Sequence, residues 1–182
     1  MTSVTSSAHV TAILAAHVPN GEREQIAYDA TLEFVIAAVE PYDRHAHATH
    51  VTASAIVAGP RGTVLHVHKL SGRWLQPGGH IDPGEMPDVA AIRETLEECG
   101  LRCTHPDGGP RLLQVDRHVT SNGHTHLDLC YLLIAGDEDP MAGEGESATV
   151  RWFAWPEAAA IADPCLASAL TRAQRVLFDF SS

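Results

Sequence analysis

The sequence predicts an α/β protein: a mixed sheet held between helical layers. Three observations carry this. Two β-rich runs, 49–58 and 63–70, flank a Pro60-Arg61-Gly62 turn. Two more, 111–119 and 125–135, flank Ser121-Asn122-Gly123, and Asn-Gly between such runs is among the best short hairpin signals. Between the two pairs, a glycine-rich turn leads into a segment in which Val89, Ile92 and Leu96 recur at helical spacing. Strands that come both as hairpins and around a central helix give a mixed sheet with helices on its faces.

Taken in order, residues 10–39 read as two helical pieces broken at Pro19-Asn20-Gly21. Val10, Ile13, Leu14 and Val18 give the first piece an apolar stripe. Ile26, Ala30 and Val35 follow more loosely in the second, with Asn20 as its cap. This pair is expected to pack as a helical hairpin on the main domain or on a second subunit, with a substrate lid as the other role. A turn at 41–43 leads to the first strand, where Val51, Ala53, Ala55 and Val57 alternate, and the second strand carries Val64, Leu65 and Val67. Trp74-Leu75 enters the glycine turn. Residues 136–147 are acidic, glycine-rich and aperiodic, and read as a mobile loop. A short strand at 149–155 follows. Two helical segments then meet at Asp163-Pro164, the second with Leu166, Leu170, Ala173 and Leu177 on its apolar face.

With 182 residues, 45% of them hydrophobic, the chain suits one domain with a real core plus an extension. No apolar run is long enough to span a bilayer, so no membrane partner is expected. The first twenty residues lack the basic region of a signal peptide. A formal net charge of −11, with no basic stripe, argues against a nucleic-acid polymer as partner. It leaves room for a small anion, because a bound cation inverts the local field. Cys99, Cys103, Cys130 and Cys165 form no CxxC pair, so reduced thiols in the cytoplasm are the default.

The chemistry concentrates in residues 78–101. Pro77-Gly78-Gly79 cannot continue a strand and Asp82-Pro83-Gly84 is turn chemistry, so the backbone bends twice before Glu85. Pro87 and Asp88 suit a helix's first turn, and Gly100 ends that helix. Glu94, Glu97 and Glu98 fall at i, i+3 and i+4, placing three carboxylates on one face within roughly a turn, about 5 Å along the axis. Such a cluster is either a solvated face or a site for a hard cation such as Mg²⁺ or Mn²⁺, which prefers oxygen donors.

The full spacing goes further. From Gly79, five residues lead to Glu85, seven more to Arg93-Glu94, then come Glu97-Glu98, Gly100 and Leu101. Seven specified residues at fixed offsets make a chance match on the order of one in a million for this length. The segment resembles the box of the Nudix hydrolase superfamily, with Thr95 where an aliphatic residue is usual. Outside the box the resemblance is architectural. It implies a Nudix-type α/β/α sandwich with a mixed sheet over 49–182, with 1–48 as an N-terminal helical extension.

The resemblance also implies function: divalent-metal-dependent hydrolysis, by water attack on phosphorus, of a diphosphate bond in a nucleoside di- or triphosphate or a nucleotide-linked diphosphate. Glu94, Glu97 and Glu98 would hold Mg²⁺ or Mn²⁺, helped by the carbonyl of Gly78 or Gly79. Arg93 would pair with Glu85, and Glu85 would belong to the metal and water network. Glu97 or Glu98 would take the proton, with Glu144 or Glu146 as a second candidate against a purely solubilising role. Gln76, His80 and Trp74 are candidate substrate contacts, with rim or core packing as the alternative. The expected partner is a small-molecule diphosphate, and a homodimer stays open. Two other readings are a silent nucleotide sensor, which expects eroded glutamates, and prenyl diphosphate chemistry, which expects a cysteine beside the glycine turn where this chain has His80.

Twelve histidines complete the inventory, with clusters at His45, His47 and His50, at His66 and His68, and at His118, His124 and His126. Alternate residues share a strand face, so His66 with His68, or His124 with His126, could converge. Without an HExxH or Cys/His constellation, the sequence favours ordinary strand histidines over a zinc site, with one or two lining a substrate pocket.

Overall fold

The computed structural model describes residues 2–145 and 149–178, with side chains from Ser7 onward. Two helices, α1 (Thr2–Ala15) and α2 (Glu22–Ala37), lead into β1 (Thr49–Gly59), β2 (Gly62–Val67), β3 (Trp74–Leu75) and β4 (Gly78–His80). Helix α3 (Pro87–Cys99) is followed by β5 (Cys103–Thr104), β6 (Arg111–Val119), β7 (Thr125–Ala135) and β8 (Val150–Phe153), then α4 (Trp155–Ile161) and α5 (Pro164–Phe178). Among the described residues no helix is long and apolar enough to cross a membrane.

The spine of the sheet is β1 beside β7, parallel from Thr49↔Thr125 to Ala58↔Ile134. Antiparallel partners surround it: β2 and β4 on β1, β5 and β6 on β7, β3 and β8 on β2. The sheet is therefore mixed, as predicted. A bulge between Leu112 and Gln114 interrupts the β6–β7 ladder.

Helices cover both faces. Val51, Ala53, Ala55 and Val57 of β1 pack with Ala90, Ala91 and Cys99 of α3 and with Val10, Leu14, Ala27 and Val35 of the N-terminal helices. Ile56 and Ala58 point the other way, into a second core with Phe153, Leu166, Ala169 and Leu170. Burial of β1 is consequently continuous, where an alternating pattern was expected, because neither face meets solvent. Toward its N-terminal end, the second face is polar and still buried: His50, Thr52 and Ser54 lie there.

Several helical phases differ from expectation. In α3 the buried stripe is Ala90, Ala91, Thr95 and Cys99, while Val89 and Leu96 are exposed and Ile92 half-buried. Small side chains face the sheet, letting the helix backbone approach it, and the larger aliphatics flank the contact. Thr95 is fully buried and donates its hydroxyl to the Ala91 carbonyl at 2.7 Å, so its polarity is satisfied. In α2 the buried residues are Glu24, Ala27, Thr31 and Val35, with Ile26 exposed; Val18 lies beyond α1 and is also exposed. Asn20 does not cap α2 through its side chain; the Glu24 carboxylate instead accepts its backbone N–H at 2.6 Å.

Glu24 is the tie between extension and sheet. Its carboxylate accepts from His17 Nε2 at 2.6 Å, the Val115 amide of β6 at 3.0 Å and Arg172 of α5 at 3.1 Å. The extension thus packs on the chain's own sheet. The acidic segment after β7 is also anchored, contrary to expectation, as far as it is described. Met141 and Gly143 donate backbone N–H groups to the Cys99 and Glu97 carbonyls, and Trp152 Nε1 donates to the Glu138 carbonyl. Arg61 pairs with Asp137 and Asp139. The last-turn carbonyls of α3 need donors, and this segment supplies them.

Candidate active site

Helix α3 starts with Pro87 in its first turn and ends at Gly100, whose left-handed φ of 66° a side chain would resist. Before it, β4 lays Gly78 against Ser54 and Gly79 against Ala53 of β1. A side chain would collide at both, with strand β1 at Gly78 and with the movable end of Glu94 at Gly79. A Cβ at Gly78 would lie 2.4 Å from Ser54 Cβ, and one at Gly79 would lie 2.7 Å from the Glu94 carboxylate. The turn and the helix are therefore in direct contact through Glu94.

Arg93 organises the carboxylates. Its Nε and NH2 donate to the two oxygens of Glu85 at 3.0 and 2.8 Å, its NH1 to Glu94 at 2.8 Å and Glu97 at 3.3 Å, and NH2 also reaches the His80 carbonyl at 2.8 Å. The Glu85 carboxylate also accepts the Asp82 amide at 3.0 Å, which fixes the turn ahead of the helix. On the other side of the cluster, Glu98 accepts the Gly78 amide at 2.8 Å and lies 3.6 Å from His66 Nε2. All five box side chains proposed from the sequence are thus brought together, with Arg93 and Glu85 paired as expected.

The environment separates these acids. Burial pushes Glu94 above the usual carboxylate range, and the charges of Glu97 and Glu85 add to that, against the pull of Arg93. Burial also acts upward on Glu85, but hydrogen bonds from Arg93 and the Asp82 amide outweigh it and hold Glu85 below that range. The hydrogen bonds to Glu85 keep Arg93 more firmly protonated than usual. One guanidinium is therefore hydrogen-bonded to three carboxylates, with Asp82 a fourth at 3.7 Å, and Glu94 is under-compensated. Oε2 of Glu94 and Oε1 of Glu97 have no protein donor among the described residues. An all-oxygen donor set with surplus negative charge, on a helix face and beside backbone carbonyls, fits a hard divalent cation.

The remaining candidates are scattered. Trp74 meets Phe153 edge to face at 4.8 Å and lies beside Arg151, at the margin of the second core. Gln76 is half-buried in the approach to the glycine turn, and Glu144 is exposed on a turn. Glu146 lies outside the described residues.

His80 belongs to a group that sequence spacing did not show. Its ring stacks on His50 at 5.1 Å, and His126 sits 4.8 Å from His50 and 5.3 Å from His80. The convergence is across strands, His50↔His126 on the β1–β7 ladder and His80 from β4, rather than along one strand. Burial, then the neighbouring Arg44 and His50, lower His80 to about 4. Burial, then His118 and His50, lower His126 to about 3. Farther along this face Asp128 is buried, accepting from Thr52 at 2.9 Å and Ser54 at 2.5 Å, and burial raises its pKa.

Comparison with known proteins bears on the family and the fold. Residues 48–172 match the NUDIX domain. The "Putative 8-oxo-dGTP diphosphatase 2" of Mycobacterium tuberculosis is 34% identical over 118 residues, covering 62% of this chain and 76% of that protein. Diphosphoinositol polyphosphate phosphohydrolase 3-alpha of Mus musculus is 53% identical over 30 residues, only 18% of its length. Among solved structures, a NUDIX family hydrolase from Clostridium perfringens superposes with a TM-score of 0.61 at 25% identity, over 70% of this chain and 97% of that one. A MutT NUDIX hydrolase from Burkholderia pseudomallei gives 0.55 at 26% identity, over 68% and 97%. The sheet order, the glycine turn against Glu94 and the Arg93-centred carboxylates, together with these matches, place the chain in the Nudix hydrolase family.

Proposed function

We propose that the chain hydrolyses a diphosphate bond in a nucleoside di- or triphosphate or nucleotide-linked diphosphate, using Mg²⁺ or Mn²⁺ held by Glu94, Glu97, Glu98 and a carbonyl of the Gly78-Gly79 turn. The observation that carries this is the under-compensated carboxylate group around Arg93. A metal ion bound there supplies neutralisation of the diphosphate oxygens and a bound water of lowered pKa. The chain's own residues do the rest. Arg93 fixes the three carboxylates and, through the His80 carbonyl, the end of β4. Glu98, held by the Gly78 amide, ties helix to turn. Glu97, more than half exposed at 55%, is the carboxylate open to take the proton of the attacking water, with Glu98 as the alternative. Gln76 and His80 border the turn where the diphosphate would lie. Residues 1–48 act as an extension to the hydrolase domain. The mycobacterial relative's name makes an oxidised purine nucleotide the first substrate to test.

The test is a panel of canonical, oxidised and sugar-linked nucleotides, dinucleoside polyphosphates and prenyl diphosphates, read by phosphate release with and without added pyrophosphatase. Turnover of a nucleotide member in Mg²⁺ or Mn²⁺, abolished by chelator, is expected. Turnover that persists in excess chelator, or no turnover of any nucleotide with either metal, defeats the proposal.

A further inference from the structure

We propose that His50, His80 and His126 form a second metal site, which takes a zinc-class divalent transition ion through three imidazole nitrogens and uses none of the box carboxylates. The ligand atoms of these residues all lie within 4.8 Å of one another. A zinc–nitrogen bond of about 2.0–2.1 Å with tetrahedral angles puts ligand nitrogens about 3.3 Å apart, so the rings need draw in by no more than about 1.5 Å.

The tautomer of His50 supports the assignment. Its Nδ1 faces the His47 carbonyl at 3.2 Å, and a carbonyl can only accept, so Nδ1 carries the proton. The lone pair is then on Nε2. That nitrogen is buried, in a residue 0% exposed, and has no hydrogen-bond partner among the described residues. An imidazole with one nitrogen bonded to a backbone carbonyl and the other bare and buried is arranged as metal-bound histidines are, the outer bond fixing the ring and its basicity. A buried nitrogen left unpartnered otherwise bears its desolvation with nothing to offset it. Stacking alone does not satisfy it.

The setting is compatible with a cation. His80 Nδ1 accepts a long bond of 3.3 Å from Arg44, an exposed side chain that is free to swing into solvent. Across the cluster, His118 lies 5.3 Å from His126 and is paired with Asp116 at 3.1 Å, so that its charge is balanced by a carboxylate. Three protein nitrogens leave a fourth position open, the ligand count of zinc sites that bind water or substrate. Imidazole donors select zinc-class ions, whereas the box oxygens select Mg²⁺ or Mn²⁺, so the two sites discriminate by ligand chemistry.

The experiment titrates Zn²⁺ into the chelator-stripped full chain in excess Mg²⁺, which occupies oxygen sites and competes poorly for imidazole. Binding is read calorimetrically, and the histidine ring ¹⁵N resonances are recorded in parallel. One equivalent of Zn²⁺ should bind and should shift the His50, His80 and His126 rings. Removing even an outer-shell partner costs about 10–100-fold, so His80→Ala and His126→Ala should each weaken binding by at least about 100-fold. The exposed His45→Ala and the Glu97→Gln/Glu98→Gln variant should keep full affinity. No Zn²⁺ bound in Mg²⁺, unshifted rings in the wild-type chain, or affinity that survives His80→Ala and His126→Ala overturns the proposal. The ring spectrum decides the matter even if a variant fails to fold.

Discussion

Replacing Arg93 with methionine keeps an unbranched apolar stem and removes the guanidinium and its charge from among the carboxylates it binds. The side chains of Glu85 and Glu94 are 13% and 14% exposed and that of Arg93 is 24% exposed, so the pairing is mostly shielded from water. Breaking a buried pair by deleting one partner costs about 3–5 kcal/mol, because the surviving charge stays desolvated. The partial exposure of Arg93 and the openness of Glu97 put Arg93→Met at the lower end, about 3 kcal/mol. In urea, with a slope of about 2–3 kcal/mol per molar, the unfolding midpoint of the metal-free protein should fall by about 1 M. Arg93→Lys should recover less than half of this, since an ammonium cannot bridge Glu85 with two donors while reaching Glu94 and the His80 carbonyl. Added Mg²⁺ should stabilise Arg93→Met more than wild type, because a cation then fills the vacant charge. If Arg93→Met unfolds within about 0.5 kcal/mol of wild type without metal, Arg93 is not what holds the carboxylates together.

The two glycines should behave differently from each other. A Cβ at Gly79 displaces only the end of Glu94, so Gly79→Ala should lose hydrolysis while its urea midpoint changes little; at Gly78 the collision is with the Ser54 backbone, and Gly78→Ala should cost about 1–3 kcal/mol or more. The Glu24 tie predicts a pH dependence. Burial acts upward on Glu24, but bonds from His17, Asn20 and Val115 outweigh it and bring its folded pKa below the usual 4.5. The unfolded chain then binds the proton more tightly, so the stability from Glu24 is complete above pH 4.5 and is lost as pH falls below it. Thermal unfolding of wild type and Glu24→Gln should converge on acidification through that window; curves that stay parallel contradict the assignment.

The box was legible because its residues are adjacent in sequence and its spacing is set by one turn and one helix. Glu85, Arg93, Glu94, Glu97 and Glu98 needed no long-range information. Element boundaries around Asn122-Gly123 and Asp163-Pro164 were equally local. What failed was the choice of helix face. Val89 and Leu96 are the larger apolar residues of α3, but the contact with the sheet is close and admits Ala90, Ala91, Thr95 and Cys99 instead. Hydrophobicity alone ranks these in the wrong order. Glu24 was invisible for a related reason. A buried acid reads as a surface residue until its partners, 91 and 148 positions away, are known.

The histidines show the same limit from another side. His50, His80 and His126 come from three strands, and only the parallel β1–β7 pairing, with β4 laid on β1, brings them together. Spacing along one strand points to His124 with His126. The partner that matters is across the ladder.

The central claim is that the box carboxylates, gathered by Arg93, carry metal-dependent hydrolysis. The most direct test is the steady-state rate of Glu97→Gln/Glu98→Gln on the best substrate of the nucleotide panel, in saturating Mg²⁺ or Mn²⁺ and with folding verified. Loss of one donor aligned on a reacting centre costs about 10²–10³ in rate, so the double variant should fall by at least about 10³. A rate within tenfold of wild type would place the chemistry elsewhere in the molecule.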